Sequence, residues 1–562
     1  MPSANPADQE ASMPRPRLLD PAVVAIFAAL VLALAPVAAL AIEPAAVFQY
    51  AAPVETAKGP SQAFLWIPPD APQVRGVVMA GMTLMEREFV KDPVIRGACS
   101  RAGLALVFLK CGLGAVQPQD VLDRLAVASG YAELAAAPLA LVGHSAGGPQ
   151  AKARAAEMPG RCFALVLYRG GVPGDAPAAP PGVPVLVMLG QFDEFGGVMR
   201  TEDGRETWEG GRDAVAAYRA ADPRHLASLA VEPGAGHFAW SARNAALLAM
   251  FLEKAAAARI PAWPADAASP VACRDVDPAG GWLSDLAVSA ASPASPAPAG
   301  EYRGDAARAA WHFDRDTAEA TAAYHTGLAG RKDQFIRWAD PVWVDAGARF
   351  FFTKLAWAGD GRTFEVHPVY ADVYPGQYDG RGPRWPQAGQ AVGRSAAPIV
   401  VRHVSGPVVV TGPNTLRMRY DALAPATEAS RVTFMAASDG DAEFRYTEQV
   451  GMMPRGFAGL KDGRAQAITF PQPGDLAPLG PPVELAAVSD AGLAVEYYVA
   501  YGPATVEGNR LTVADLPARA RLPVEVKVVA WQFGSALEPR VQTAAPVERV
   551  VRVIGDRPRR RP

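Results

Sequence analysis

The sequence predicts an α/β protein: a mostly parallel sheet domain with flanking helices, followed by all-β sandwich domains. Three observations predict it. Between residues 42 and 258, fully apolar runs of strand length alternate with Ala-rich stretches suited to helices. From 259 to 300 the composition turns to Pro, Ala and Ser. From 335 onward, short β-branched and aromatic runs are punctuated by Gly, Pro and Asp.

At 562 residues the chain exceeds a single core, so two to four domains are expected. A composition that is 50% hydrophobic and 20% charged is that of a globular protein. The net charge of −3 lacks the basic field a nucleic-acid binder needs, which excludes that class. Residues 1–41 read as a secretory signal peptide. Arg15 and Arg17 give a positive flank, 22–40 is apolar but for Pro36, and Ala39-Leu40-Ala41 spells a cleavage site after Ala41. The expected protein is exported to the periplasm, the medium or the cell surface, with no stable membrane association after cleavage. The alternative is an uncleaved anchor, because the apolar run approaches spanning length. In an oxidising compartment Cys99, Cys111, Cys162 and Cys273 could pair. Cys99–Cys111, close in sequence, is the preferred disulfide against four buried thiols. No C-x-x-C spacing supports a zinc site.

The most informative stretch is 139–148. An apolar strand, 139–142, runs into Gly143-His144-Ser145-Ala146-Gly147, followed by a helical stretch over 149–158. G-x-S-x-G between a strand and a helix is the pattern of a nucleophile elbow, whose turn is too tight for side chains flanking the serine. The alternative is a Gly/Ser turn capping a helix. A serine nucleophile needs an acid and a histidine, each at the end of a later strand. The strand at 183–189 ends in Gly190-Gln191-Phe192-Asp193-Glu194, which offers Asp193, with Glu194 as its rival. The strand at 226–231 is followed by Glu232-Pro233-Gly234-Ala235-Gly236-His237, where flexible glycines would let His237 reach the serine. His144 lies within the elbow and is expected to point away from the nucleophile. His225 falls at the wrong end of its strand, and the other histidines follow the linker. Two backbone donors would hold an oxyanion: the Ala146 amide, and the Met82 amide after the strand at 75–80. Leu84, Met85, Phe89, Phe192, Phe195 and Trp208 suggest an apolar acyl pocket or, equally, core.

On Gly143-His144-Ser145-Ala146-Gly147 and the post-strand Asp193 and His237, residues from about 45 to 258 resemble the α/β-hydrolase superfamily, most closely its serine esterase and dienelactone-hydrolase-like members. The resemblance implies a Ser145–His237–Asp193 triad that cleaves carboxylic esters through an acyl-enzyme, with no metal or organic cofactor. It implies a small-molecule or polymer-linked ester as substrate. Two other readings stand beside it: a surface- or polysaccharide-binding protein on a non-catalytic hydrolase scaffold, and a carbon–carbon hydrolase or cofactor-free haloperoxidase using the same triad.

The remaining segments are a Pro/Ala/Ser-rich linker (259–300), a helical connector (301–334), a β-sandwich-like domain (335–465), a β domain that resembles bacterial Ig-like modules (466–554) and a basic tail (555–562). Trp343, Tyr370, Tyr374, Tyr378 and Trp385 would suit carbohydrate contact through the β domains, or sandwich core, the reading preferred here. Asp372, Asp379, Asp439 and Asp441 spell no calcium loop and read as surface acids.

Overall fold

A computed structural model describes residues 46–81, 84–193, 207–286, 294–325, 330–344, 347–374, 387–428, 431–453 and 459–555. The expected signal segment, Met82, Glu194, Phe195, Tyr378, Asp379 and Trp385, and the tail from 556 lie outside the described residues.

The apolar runs of the first half form an eight-stranded sheet: β1 (Tyr50–Thr56), β2 (Gly59–Trp66), β3 (Gly76–Gly81), β4 (Leu104–Leu109), β5 (Leu139–His144), β6 (Cys162–Tyr168), β7 (Val185–Gly190) and β8 (Ala227–Glu232). Their order is β1-β2-β4-β3-β5-β6-β7-β8. β2 runs antiparallel to both of its neighbours, β1 and β4, and every other pairing is parallel. Strands β3 to β6 are buried along their whole length, which is why they read as unbroken apolar runs rather than alternating ones. Along β4, Ala105, Val107 and Leu109 face one core while Leu104, Leu106 and Phe108 face the other. The Pro118–Ser129 and Thr207–Ala221 helices cover the first face, and the Pro93–Ala102 and Ala242–Arg259 helices cover the second.

This two-faced arrangement corrects the expected disulfide. Cys99 belongs to the second core and Cys111 packs against the first, so the sheet lies between them. All four cysteines are free thiols. Burial pushes the Cys99 and Cys162 thiols up to about 12, far from the thiolate form that disulfide exchange requires.

β8 is an edge strand, and the Arg315–His325 helix covers it. The Val231 N–H, which the edge would leave without a partner, donates to His325 Nε2 at 3.0 Å. Part of the stretch read as linker joins this cover. Trp282–Ser284, Ala297–Pro298 and Ala310–His312 form a small sheet, with Leu283, Ala309 and Trp311 packed on Leu226.

The rest of the chain is all-β. A five-stranded sheet contains Thr433–Ser438 and Thr447–Met452, and faces a four-stranded sheet containing Thr363–Glu365 and Thr415–Met418. Val401, Phe434, Phe364 and Leu416 fill the space between them. Two three-stranded sheets follow, built around Arg510–Val513 and Val524–Trp531. The Val524–Trp531 strand serves three cores at once. Val526, Val528 and Ala530 face the last module, Val529 and Trp531 face the preceding sandwich, and Val524 joins the core of the eight-stranded sheet. Arg519, just before it, donates to both oxygens of the buried Glu133 at 2.6 and 3.1 Å. The fold class is therefore the expected one, with the β region docked on the α/β domain.

Of the aromatic set, Tyr370 and Tyr374 are packed. Tyr370 is half-buried, its hydroxyl donating to the Ala397 carbonyl and hydrogen-bonded with the Ser438 hydroxyl, and the Tyr374 ring lies against Phe335. Asp441 accepts from the amides of Glu443 and Phe444, so it caps a turn. Among the described residues no helix is long and apolar enough to cross a membrane.

Candidate active site

β5 ends at His144, and the helix Gly147–Glu157 begins three residues later. A turn this abrupt forces Ser145 to φ 52°, in the left-handed region that L-residues rarely adopt. The strain is held from outside: the Ser145 N–H donates to the Tyr168 carbonyl at 3.1 Å, and its own carbonyl accepts from Gly148 N–H at 3.0 Å. The flanking glycines are required by space. A Cβ on Gly143 would overlap the Gly147 carbonyl, and one on Gly147 would overlap a carboxylate oxygen of Glu86. Ala146 is exposed at the start of the helix, where backbone N–H groups and the helix dipole favour negative charge.

Asp193 follows β7 and His237 follows β8, both at strand C-terminal ends on the same side of the sheet as the elbow. The His237 Nδ1–H donates to both oxygens of Asp193, at 2.9 Å each, and both residues are buried. That fixes the tautomer and leaves Nε2 on the opposite side of the ring. The His237 ring lies 4.7 Å from the His144 ring, centroid to centroid, next to the residue that precedes Ser145. The two loops are also tied to each other. Gln191 N–H donates to the Glu232 carbonyl at 3.0 Å, Phe192 N–H to the Ala235 carbonyl at 2.9 Å, and Gly234 N–H to Gln191 Oε1 at 2.8 Å.

Three residues outside the expected triad support this geometry: Glu86 and Arg169, which motif reading passed over, and His144. Glu86 is buried beneath the elbow and accepts the His144 N–H at 2.9 Å. His144 is buried among Tyr168, His237 and Phe238, and its Nε2 meets the His237 carbonyl at 3.0 Å. Burial, with the neighbouring His237, pushes its pKa well below the usual imidazole range, so it stays neutral and donates through Nε2–H. Arg169, at φ 48° and buried, donates to the Gly236 carbonyl and pairs with Glu232. The signal was present in the sequence: Arg169 stands immediately after the apolar strand β6 and Glu232 is the last residue of β8, where burial requires a partner.

Of the remaining site candidates, Met82 lies outside the described residues. Met85, Phe89 and Trp208 belong to the two sheet cores. Phe192 packs against Phe335 of the β region, with ring centroids 5.2 Å apart. Of Leu84 the structure describes only the backbone, at the start of a helix, and Phe195 lies outside. Among the described residues no group of three or more His, Cys, Asp or Glu could hold a metal ion.

No family model matches the chain, and no curated protein matches it. Solved structures do. An esterase domain from Rhodothermus marinus is 19% identical over 36% of this chain and 95% of its own, with a TM-score of 0.25. A lidless α/β serine hydrolase from Xanthomonas campestris is 19% identical over 39% of this chain and 97% of its own, with a TM-score of 0.26. A dienelactone hydrolase from Anabaena variabilis is 21% identical over 37% of this chain and 95% of its own, with a TM-score of 0.24.

Proposed function

We propose that the chain is a serine hydrolase that cleaves carboxylic esters with Ser145, His237 and Asp193. The observation that carries this is the buried His237–Asp193 pair, its imidazole 4.7 Å from the ring of His144, which immediately precedes a serine held at φ 52° on a strand-to-helix turn. A loop acid and a loop histidine do not otherwise need to be desolvated together at the mouth of such a turn.

In this reading His237 Nε2 takes the Ser145 hydroxyl proton as Oγ attacks the ester carbonyl. Asp193 stabilises the imidazolium that results. The Ala146 amide, and the Met82 amide as second donor, hold the tetrahedral oxyanion. His237 then gives its proton to the departing alkoxide, which leaves Ser145 acylated. Water, losing its proton to His237, attacks the acyl carbonyl. Collapse returns the proton to Oγ and releases the acid. None of these steps requires a cofactor. Small or polymer-linked esters are the proposed substrates, met outside the cytoplasm after cleavage at Ala41. Sequencing the mature N-terminus tests that location, since an intact first residue would remove it.

The activity is tested with a p-nitrophenyl ester and a fluorophosphonate. The wild type should turn over the ester and become labelled on Ser145. Ser145→Ala should keep its melting profile, lose labelling and lose kcat by orders of magnitude. Equal turnover by the two proteins would eliminate the mechanism.

A further inference from the structure

The β region reaches the histidine loop directly. Glu448 lies on the Thr447–Met452 strand of the five-stranded sheet, 212 residues beyond Gly236 in sequence. Its Oε1 accepts the Gly236 N–H at 2.9 Å, and its own backbone N–H donates to the Gly234 carbonyl at 3.2 Å. Oε2 accepts the Tyr446 hydroxyl at 2.6 Å, and Arg169, which holds the Gly236 carbonyl, lies 4.0 Å from Oε1. Both backbone groups of Gly236, the residue before His237, are thereby held. Contact is close enough that a Cβ on Gly234 would overlap the Tyr446 carbonyl, so only glycine fits there. The acid loop rests on the same region, because Phe192 shares a small core with Phe335 and Ala371.

We infer that Glu448 is a positioning residue for the reaction at Ser145: from the β region it clamps the Pro233–His237 loop and so sets where the His237 ring stands. This rests on the reading of Ser145, His237 and Asp193 given above. The β region is then a working part of the catalytic apparatus rather than an appended binding module. Burial, together with the nearby Glu232, pushes the Glu448 carboxyl up to about 8. Glutamine keeps the side-chain length and a carbonyl oxygen toward Gly236, while its amide can donate to the Tyr446 hydroxyl oxygen. Aspartate does not, because it draws the carboxyl back by a methylene.

The test compares full-length wild type, Glu448→Gln, Glu448→Asp and Glu448→Ala, each checked by thermal melting. The readouts are kcat and KM on p-nitrophenyl acetate and the rate of fluorophosphonate labelling. A displaced histidine should lower kcat and labelling together, by up to about 10²-fold, with KM little changed. The expected order is wild type and Gln together, then Asp, then Ala. Should Ala fail to fold, the order of Gln and Asp decides. Equal kcat and labelling in wild type, Gln and Asp would overturn the clamp while leaving the triad standing. A wild type that neither labels nor turns over would remove the triad reading itself, and the clamp with it.

Discussion

The His144 imidazole lies 4.7 Å from that of His237, the two rings tilted by 47°, and donates to the His237 carbonyl at 3.0 Å. The residue before the candidate nucleophile thus holds the backbone of the candidate base. Two loops that meet only in the folded chain are joined by a neutral histidine.

His144→Phe keeps the ring and its packing but leaves the buried carbonyl without this donor. We expect a loss of about 1–3 kcal/mol in urea denaturation. We also expect a fall in kcat on a short ester that exceeds any change in KM. A variant as active as wild type would show that the loop is held without His144.

Asp193→Asn should preserve the fold, since the amide fits the same space. It can present a donor to Nδ1 and so favour the wrong tautomer. In a triad this costs kcat about 10⁴-fold. The measurement is turnover at pH 8. A loss of less than tenfold would move the acid role elsewhere, and Glu194 would be the residue to examine next.

Glu133 is fully buried and receives Arg519 from the β region at 2.6 and 3.1 Å, and the Val74 N–H at 3.2 Å. Glu133→Ala strips the partner from a half-exposed guanidinium and a buried amide. We expect a destabilisation of about 2–3 kcal/mol, below the full cost of breaking a wholly buried pair because Arg519 can regain water. Glu133→Gln should lose less. A chemical denaturation curve unchanged in both would mean that the two regions are joined elsewhere.

His312 and His325 are buried, and burial pushes both down to about 3. Each contributes stability that is complete above its unfolded value near 6.5, because there neither state binds the proton. As pH falls from 6.5 toward 3, the unfolded chain takes up protons that the folded chain refuses, and stability drops. The slope is up to about 1.4 kcal/mol per pH unit for each histidine. His325→Gln, whose carbonyl oxygen cannot become charged in this range, should flatten the decline between pH 6 and 4 in thermal melts. An unaltered slope would show that His325 titrates normally.

The sequence disclosed what local pattern encodes. Ser145, Asp193 and His237 each sit at the end of a strand that announces itself as an apolar run, so their order and placement could be read directly. β7 starts at Val185 rather than 183. The β1–β2 hairpin went unread because its strands mix polar and apolar positions at the sheet's open edge. Glu448, Glu86 and Arg169 went unread for another reason: their partners are distant in sequence, and a lone charge carries no address. The Cys99–Cys111 pairing failed likewise, since nearness in sequence says nothing about which face of a sheet a side chain enters.

The Val524–Trp531 strand bears on how the molecule breathes. Its amides hydrogen-bond on both sides and its side chains enter three cores. Opening it would wet all three together, so partial unfolding of one module has no cheap route. Deuterium should therefore enter these eight backbone positions last, at the rate of whole-molecule unfolding, and the separate lobes should melt as a single cooperative unit.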